Sequence, residues 1–215
     1  MDDAGAAPGA PATAKKTMAR ACPPPYTKGE TRMGLMDDIV LAPDERLETE
    51  CVPIENIDRD VKKLADRMLK TMYEADGCGL AAPQIGILKQ IVVIDCDYAG
   101  AGTKKNPYVL INPKVVAADG DPRDFKEGCL SFPGINVTVT RPSHVVVHAF
   151  DLNGDLMQYE AEGNLMAVCL QHEIDHLHGK TMVDHLTPIK RAEAMREYEQ
   201  AIAAGARPGE TEVVE

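Results

Sequence analysis

The sequence is short of positive charge. Its 215 residues include 23 Lys and Arg against 34 Asp and Glu, which gives a net charge of −11 and a pI near 5.0. A general nucleic-acid binder or a protein that binds anionic membranes carries a basic surplus that attracts phosphates. The deficit therefore argues against both classes and favours a small molecule or a peptide as the partner.

Long apolar runs and a secretory leader are also lacking. No stretch approaches the roughly 18 apolar residues of a membrane-spanning helix, and the start, with Asp2 and Asp3, is neither basic nor apolar. We therefore expect a cytoplasmic protein whose cysteines are thiols, one of them free to be a metal ligand, rather than a disulfide framework. The six cysteines are Cys22, Cys51, Cys78, Cys96, Cys129 and Cys169.

Composition divides the chain into three segments. Residues 1–32 are rich in Ala, Pro and Gly and show no apolar period, so we predict that they are disordered. The length that follows suits one hydrophobic core, and residues 33–204 are predicted to form a single domain. Residues 205–215, with Pro208, Gly209 and three glutamates, are predicted to be a flexible tail.

Apolar periodicity predicts an α+β fold of largely antiparallel sheets packed around a central metal-binding helix, with one helix before it and one after. The first helix begins behind a cap at Asn56 or Asp58 and runs for four or five turns. The other two are Asn164–Leu177 and about Pro188 to Ala203, the last packing through Ile189, Ala192, Met195 and Ile202. The β-rich runs are Gln90–Asp95, Tyr108–Asn112, Lys114–Ala117, Ile135–Thr140, His144–Phe150 and Asp155–Glu160, with a two-residue hairpin turn at Asn153-Gly154.

The stretch Gln171-His172-Glu173-Ile174-Asp175-His176 carries the strongest chemical signal. Two histidines four residues apart share one face of a helix and can bind one metal ion. Glu173 lies about 100° around the helix from His172, which suits a base that takes a proton from a metal-bound water. The pattern indicates a metal-dependent hydrolase, although it also occurs in amphipathic helices whose histidines bind no metal.

Cys129, in the run Glu127-Gly128-Cys129-Leu130-Ser131, is the candidate for a third ligand. A catalytic metal site needs three protein ligands and one open position, and one thiolate with two imidazoles meets that need. Taken alone, a cysteine in such a run is more often a small buried residue.

The run Gly77-Cys78-Gly79-Leu80-Ala81-Ala82-Pro83-Gln84 combines two glycines with small residues, which would let the backbone approach a ligand closely. It is a weak match to a phosphate-binding loop, because no Gly-Lys-Ser/Thr follows. A tight turn that enters a strand is the alternative interpretation.

In sequence, order and spacing, the runs 77–84, 127–131 and 171–176 together resemble the three signature motifs of the peptide deformylases. The resemblance extends from about Asp38 to Lys190, and the long last helix is similar to that of the bacterial type-1 members. It implies an enzyme that removes the formyl group from the N-terminal methionine of newly made polypeptides. The implied cofactor is one divalent metal, natively Fe²⁺, which Ni²⁺, Co²⁺ or Zn²⁺ can replace. A transient ribosome contact by the segment after Pro188 stays open.

The resemblance also implies the roles of individual residues. Glu173 would assist the attack of a metal-bound hydroxide, while Gln84 and the backbone N–H of Leu130 would stabilise the oxyanion. The implied metal ligands are Cys129, His172 and His176. The implied substrate-binding residues are Cys78, Gly79 and Gly128 along the peptide backbone, Arg141, and a methionine pocket of Leu165, Val168, Cys169, Leu130 and Phe125.

One position departs from the family pattern. Several bacterial deformylases carry an arginine that helps to hold the peptide at the place of Asn136, five residues before Arg141. Because Arg141 is kept, we expect the chemistry to be intact and the anchoring of longer peptides to differ.

A zinc-dependent peptidase is the alternative hydrolase. It would share the pattern His-Glu-x-x-His-x-x-Gly that ends at Gly179. Proteases with that extension need a further histidine where this chain has Met182. Those that use a later glutamate could use Glu193 or Glu197, which lie in a helix with the charge pattern of an ordinary surface.

A structural metal-binding module, or an inactive relative, is the non-enzymatic alternative. Such a site closes its fourth position with another Cys or His. His178 and His185 are the only nearby candidates, and neither has convincing spacing.

Overall fold

The computed structural model describes residues 38–98 and 103–210, and the predicted disorder of residues 1–32 lies outside this part of the chain. Within these ranges, the helices are α1 (Arg59–Glu74), α2 (Leu165–Leu177) and α3 (Pro188–Ala203). The strands are β1 (Gly79–Ala81), β2 (Ile91–Ile94), β3 (Tyr108–Asp119), β4 (Arg123–Gly128), β5 (Asn136–Arg141), β6 (His144–Phe150) and β7 (Leu156–Glu162).

The strands form two antiparallel sheets. Five of them make one sheet in the order β1-β2-β3-β6-β7, and β4 pairs with β5 in a separate ribbon. The α+β architecture expected from the sequence is therefore confirmed. In the part of the chain described, no helix has the length and apolar character needed to cross a membrane.

Strand β2 shows why the large sheet is covered on both faces. Its four apolar residues are fully buried, and successive side chains of a strand point to opposite faces. Val92 and Ile94 pack in the cluster that includes α2, whereas Ile91 and Val93 pack in the cluster that includes α1. The sheet therefore lies between two helices.

Helix α1 begins where the sequence predicts. The Asp58 side chain accepts hydrogen bonds from the N–H groups of Asp60 and Val61, which satisfies two donors at the start of the helix. Met68 and Met72, on its apolar side, are fully buried against the sheet. Its 16 residues make four to five turns.

Helix α2 is buried nearly all round, which is typical of a helix in the centre of a domain. Asn164 caps it by accepting from the Ala167 N–H. After Leu177 the chain turns at Gly179, whose φ of 65° is left-handed and whose Cα faces the Glu48 carbonyl without room for a side chain. The interior position of α2 forces its polar residues to find partners inside the protein.

The packing face predicted for α3 is wrong, although the bounds of the helix are confirmed. Ile189 is 74% exposed and Ala192 and Ile202 are also exposed, while Met195 is only partly buried. The buried residues are Ala194, Tyr198 and Ala201. This face of α3 is buried because the Tyr198 hydroxyl donates to the Ala42 carbonyl at 2.7 Å and its ring packs on Phe132.

Several strand boundaries differ from the prediction, most of all around Pro113, at β4 and at the turn after β6. The two predicted runs on either side of Pro113 join into β3, with a register shift after Ile111. Strand β4 was not predicted, because it is polar and has no alternation of apolar residues. The predicted two-residue turn at Asn153-Gly154 is a five-residue loop, 151–155. The loop is held because the Asp151 carboxylate accepts from the N–H groups of Asn153 and Asp155.

The first residues of the tail predicted to be flexible lie against the rest of the domain. The Gly134 N–H donates to the Glu210 carbonyl at 2.7 Å, and Gly209 lies against the backbone of Ala75. Ala206 packs against the hydrophobic cluster that contains the buried residues of α3. Residues 205–210 therefore contact the domain, and the flexibility of the tail stays a prediction. Residues 211–215 lie outside the described ranges.

His144 should make the stability of the large sheet depend on pH. Its ring lies 2.6 Å from the Asp119 carboxylate and 3.2 Å from that of Glu160, and hydrogen bonds to these two carboxylates raise its pKa. A raised histidine pKa stabilises the fold fully below the unfolded-state pKa, and this stabilisation is lost as pH rises through the folded-state value. We expect His144→Gln to lower the melting temperature by about 1–3 °C at pH 5.5 and hardly at all at pH 9.

Thermal melts of the wild type, His144→Gln and His148→Gln across this pH range test the prediction. His148 lies on the same strand but faces the neutral Gln158, so its replacement controls for the loss of an imidazole. Equal pH dependence in the two variants would remove the role assigned to the carboxylates.

Candidate active site

One face of α2 brings the candidate site residues together. Cys169, His172, Glu173 and His176 follow the i, i+3, i+4, i+7 spacing, which places them on the same side of a helix. This side faces β1 and the end of β4, where Gly79 and Cys129 are found. Segments far apart in sequence therefore meet at this face.

The donor atoms of Cys129, His172 and His176 surround one point. They all lie within 4.8 Å of one another, and the Cys129 Sγ is 3.3 Å from the His176 Nε2. Tetrahedral bonds of about 2.3 Å to sulfur and 2.1 Å to nitrogen would place these two atoms about 3.6 Å apart. The donor set thus fits a single metal ion with a further position open.

The two rings have different surroundings. The His172 Nδ1–H donates to Glu127 at 2.9 Å, which directs Nε2 towards the other donors. Burial alone would lower the pKa of His172, but its contacts with Cys129 and Glu127 outweigh burial and raise it. Burial lowers the pKa of His176, which keeps that ring in the neutral form that binds metals.

A buried ionic network supports His172. The Arg141 guanidinium donates to both oxygens of Glu127, at 2.5 and 3.0 Å, and to Asp175 at 2.8 Å. Asp175 also accepts from His185 at 2.7 Å. Burial would raise the pKa of Glu127, but the hydrogen bonds from His172 and Arg141 hold it below its usual value. The network therefore keeps a carboxylate charged behind the candidate metal ligand His172.

This network corrects the role expected for Arg141. The sequence suggested that Arg141 contacts the peptide, yet its side chain is 4% exposed and is paired with two carboxylates. Strand β5 explains the difference, because its period of two places Arg141 on the buried face with Val137 and Val139. The supporting residues Glu127, Asp175 and His185 were not assigned from the sequence, since only the tertiary fold joins them.

Glu173 is buried beside the donor set of Cys129, His172 and His176. Burial raises its pKa to about 8, and its Oε2 has no hydrogen-bond partner among the described residues. An orphaned carboxylate oxygen in the interior indicates a missing partner such as water or an ion. A side chain at Gly79 would overlap both Glu173 and Cys169, so the glycine is required by the close approach of β1 to α2.

Gln84 lies on the other side of the donor set in a fixed orientation. The Ala81 N–H donates to its Oε1 at 2.8 Å, so its Nε2 must point the opposite way. That nitrogen is 3.5 Å from the Cys129 Sγ and 3.3 Å from the Ser131 Oγ. The site therefore presents an amide donor next to the candidate metal ligand.

The residues expected to form the methionine pocket lie in different surroundings. Val168 and Cys169 are buried, whereas Leu165 is 54% exposed at the start of α2. Leu130 packs close to Gly77, and Phe125 is half-buried on the side of the ribbon that it shares with its partner Val139. The peptide-binding roles of these residues, and of Cys78 and Gly128, remain predictions.

The ligands required by the alternative functions lie elsewhere. Glu193 and Glu197 are exposed on α3, and His178 and His185 pair with carboxylates outside the donor set. Among the described residues, the group that includes both His172 and His176 has Cys129 as its third member. A peptidase ligand or a closing fourth ligand is therefore not found at this site.

The fold and this site define an α+β enzyme whose central helix carries a His-Glu-x-x-His motif opposite a cysteine. The family described as polypeptide deformylase matches residues 36–192. The chain belongs to this family, which confirms the resemblance seen in its three motifs and its assignment as an enzyme.

Individual relatives agree with the family match. The peptide deformylase of Hahella chejuensis is 48% identical over 74% of this chain and 91% of its own length, and that of Hydrogenovibrio crunogenus is 43% identical over 77% and 95%. The crystal structure of a peptide deformylase from Legionella pneumophila superposes with a TM-score of 0.71 at 43% identity, over 77% and 95% of the chains. A peptide deformylase from Synechococcus elongatus in complex with actinonin gives 0.70 at 40%, over 79% and 91%.

Glu127→Gln should weaken metal binding although Glu127 is not in the donor set. The amide cannot hold the charge that orients His172, and loss of such a supporting carboxylate typically costs 10–100-fold in metal affinity. Competition between the protein and a chromophoric chelator for Ni²⁺ measures the change. Glu160→Gln, on the exposed face of β7, should bind nickel like the wild type, and an unchanged affinity in Glu127→Gln would contradict the role of the network.

Proposed function

We propose that the enzyme removes the formyl group from the N-terminal methionine of newly synthesised polypeptides with the help of one divalent metal ion. The observation that carries the proposal is the convergence of three donors, Cys129, His172 and His176, on one point beside an unpaired Glu173 oxygen. Membership of the polypeptide deformylase family supports the same reaction.

The ion would be held by these three side chains, and Fe²⁺ is our assignment for the native metal, with Ni²⁺, Co²⁺ or Zn²⁺ as substitutes. A thiolate with two imidazoles suits several first-row metals, so availability rather than affinity selects among them. When bound, a divalent metal supplies a Lewis acid that activates water and polarises the formyl oxygen.

Glu173 is the general base and then the acid. Its raised pKa makes it a good proton acceptor near neutral pH, and burial keeps bulk water from competing for that proton. It accepts the proton of the attacking water and can later pass it to the departing amine. The free Oε2 is the atom assigned to this transfer.

Gln84 and the Leu130 N–H are assigned to the oxyanion that forms when the formyl carbon is attacked. The amide of Gln84 is oriented before substrate binds, because Ala81 holds its oxygen. The Leu130 N–H donates no hydrogen bond within the described ranges, which leaves it available. One such preorganised donor is typically worth about 3 kcal/mol of barrier.

The peptide is assigned to the cleft between β1 and β4. In the described part of the chain β1 pairs with β2 on one side alone, and an unpaired strand edge can accept an extended peptide through backbone hydrogen bonds. Cys78 and Gly79 lie on this edge and Gly128 ends β4. The methionine side chain would pack against Val168 and Cys169, with Leu165 at the rim. Substrates are then nascent chains, and a transient ribosome contact would supply them.

Glu173→Gln should separate metal binding from turnover. The amide still hydrogen-bonds water but cannot accept its proton, so we expect kcat to fall on the order of 100-fold or more while the nickel content is unchanged. Formate release from a formyl-methionyl peptide measures the rate. Glu197→Gln serves as the control and also tests the peptidase alternative, which requires a ligand on α3. Loss of metal from the Glu173 variant would make that residue structural.

Four peptides test the substrate assignment. Formyl-methionyl peptide should be cleaved far faster than its acetyl analogue, because the extra methyl of acetyl must find room between the metal donors and Gln84. Formyl-norleucine should react nearly as well, since an apolar pocket accepts an unbranched chain. Formyl-aspartate should react poorly, because its carboxylate would be desolvated without a partner. The comparison uses kcat/KM at fixed metal, and equal values for formyl and acetyl peptides would refute the deformylase assignment.

A further inference from the structure

Three cysteines form a second cluster next to the active site. The Sγ atoms of Cys78, Cys96 and Cys169 all lie within 4.8 Å of one another, and those of Cys78 and Cys169 are 4.0 Å apart. They come from three elements: the residue before β1, the loop after β2, and the middle of α2. They are separate from the proposed metal ligand Cys129, and no disulfide joins them. The proposed reaction has no use for Cys96.

The geometry of the cluster suits a cation bound by three sulfurs. Three metal–sulfur bonds of about 2.3 Å in one plane place the sulfurs roughly 4.0 Å apart, which is the separation of Cys78 and Cys169. The remaining distances allow the same arrangement after small side-chain rotations. Within the described residues this group has three members, whereas structural zinc takes four ligands. Three soft sulfurs without a fourth ligand favour monovalent copper, because thiolates select Cu⁺.

The surroundings of the three sulfur atoms favour a bound cation over solvated thiols. Cys169 is buried and the other two are half-buried, so the three sulfurs are largely shielded from water. Hydrogen bonds from the Cys169 and Cys96 thiols lower the pKa of Cys78, so one thiolate is stabilised before any ion arrives. Binding of Cu⁺ would neutralise the Cys78 thiolate, and each further sulfur that binds as a thiolate would release its proton to solvent and leave one more negative charge on the site.

We propose that Cys78, Cys96 and Cys169 form a second metal site, specific for monovalent copper, whose occupation inhibits the enzyme. The inhibition rests on the proposed function, whereas the site itself does not. A side chain at Gly79 would meet both Cys169 and Glu173, which shows that the thiol and the catalytic carboxylate are neighbours. An ion held there lies against the general base and takes the sulfur of Cys169 out of the methionine pocket.

The test uses the full chain loaded with nickel, kept under argon and titrated with Cu⁺ from a bathocuproine complex. We expect one copper per chain to be retained while one nickel remains. Cys96→Ala should weaken copper retention at least tenfold, since it removes one of three ligands without touching the catalytic residues. Cys51→Ala, the matched control, removes a buried thiol outside the cluster and should bind copper like the wild type. Equal retention in both variants, or loss of nickel in step with copper uptake, overturns the proposal.

X-ray absorption of the copper-loaded wild type keeps the test independent of the variants. Three sulfur neighbours near 2.3 Å support the site, while a nitrogen neighbour would place copper on His172 or His176 and refute it. A mass lower by two hydrogens, without bound copper, would identify a disulfide instead.

Formate release measures the inhibitory part. We expect kcat/KM to fall at least tenfold when copper is bound and to recover when free chelator removes it, with Cys96→Ala insensitive to the same copper. Full activity of the copper-loaded wild type would overturn the inhibition. If the nickel enzyme released no formate at all, the proposed function would fail, whereas the copper stoichiometry and spectrum would still decide whether the site exists.

Discussion

Helix α2 brings two histidines and a glutamate into the interior, and the rest of the site depends on how the protein satisfies these groups. A buried polar atom without a partner costs about 1–3 kcal/mol, and a buried charge costs more. Glu127 meets this need for His172, and Arg141 meets it for Glu127. The β4–β5 ribbon and the central helix are thereby tied together by an ionic network that also orients a candidate metal ligand.

Two of the three buried side-chain atoms without a partner in the described residues belong to the candidate site. They are the Glu173 Oε2 and the His176 Nδ1, and the third is the Asp95 Oδ1. A protein tolerates such unpaired atoms where a substrate, an ion or water supplies the missing partner. The same helix face thus serves stability through its paired groups and reactivity through its unpaired ones.

Close approach of β1 to α2 places the cysteine cluster beside Glu173, the proposed general base. Gly79 permits that approach, and Cys78 and Cys169 come together across it. A single glycine therefore shapes both the proposed peptide cleft and the proposed copper site. A copper ion at the cysteine cluster would therefore affect a peptide bound in the cleft, because both sites lie next to Gly79.

Local patterns in the chain determined much of this protein by themselves. The spacing of His172 and His176, the cap at Asp58 and the bounds of α3 depend on residues near one another, so the sequence predicts them well. The likeness of the three motifs to one family also indicated Cys129 as a third metal ligand beside the two histidines. The structure makes this role possible, because it brings the three donor atoms together.

Tertiary structure decided what depends on distant residues. The inward direction of Arg141 follows from the pairing of β5 with β4, and the packing face of α3 from Tyr198 and Ala42. The contact of Glu210 with Gly134 likewise joins residues far apart in the chain. Cys78, Cys96 and Cys169 have no spacing that marks them as a group, because they meet only after two strands and a helix pack together. Sequence periodicity describes one element at a time, whereas a site is made by the contacts between elements.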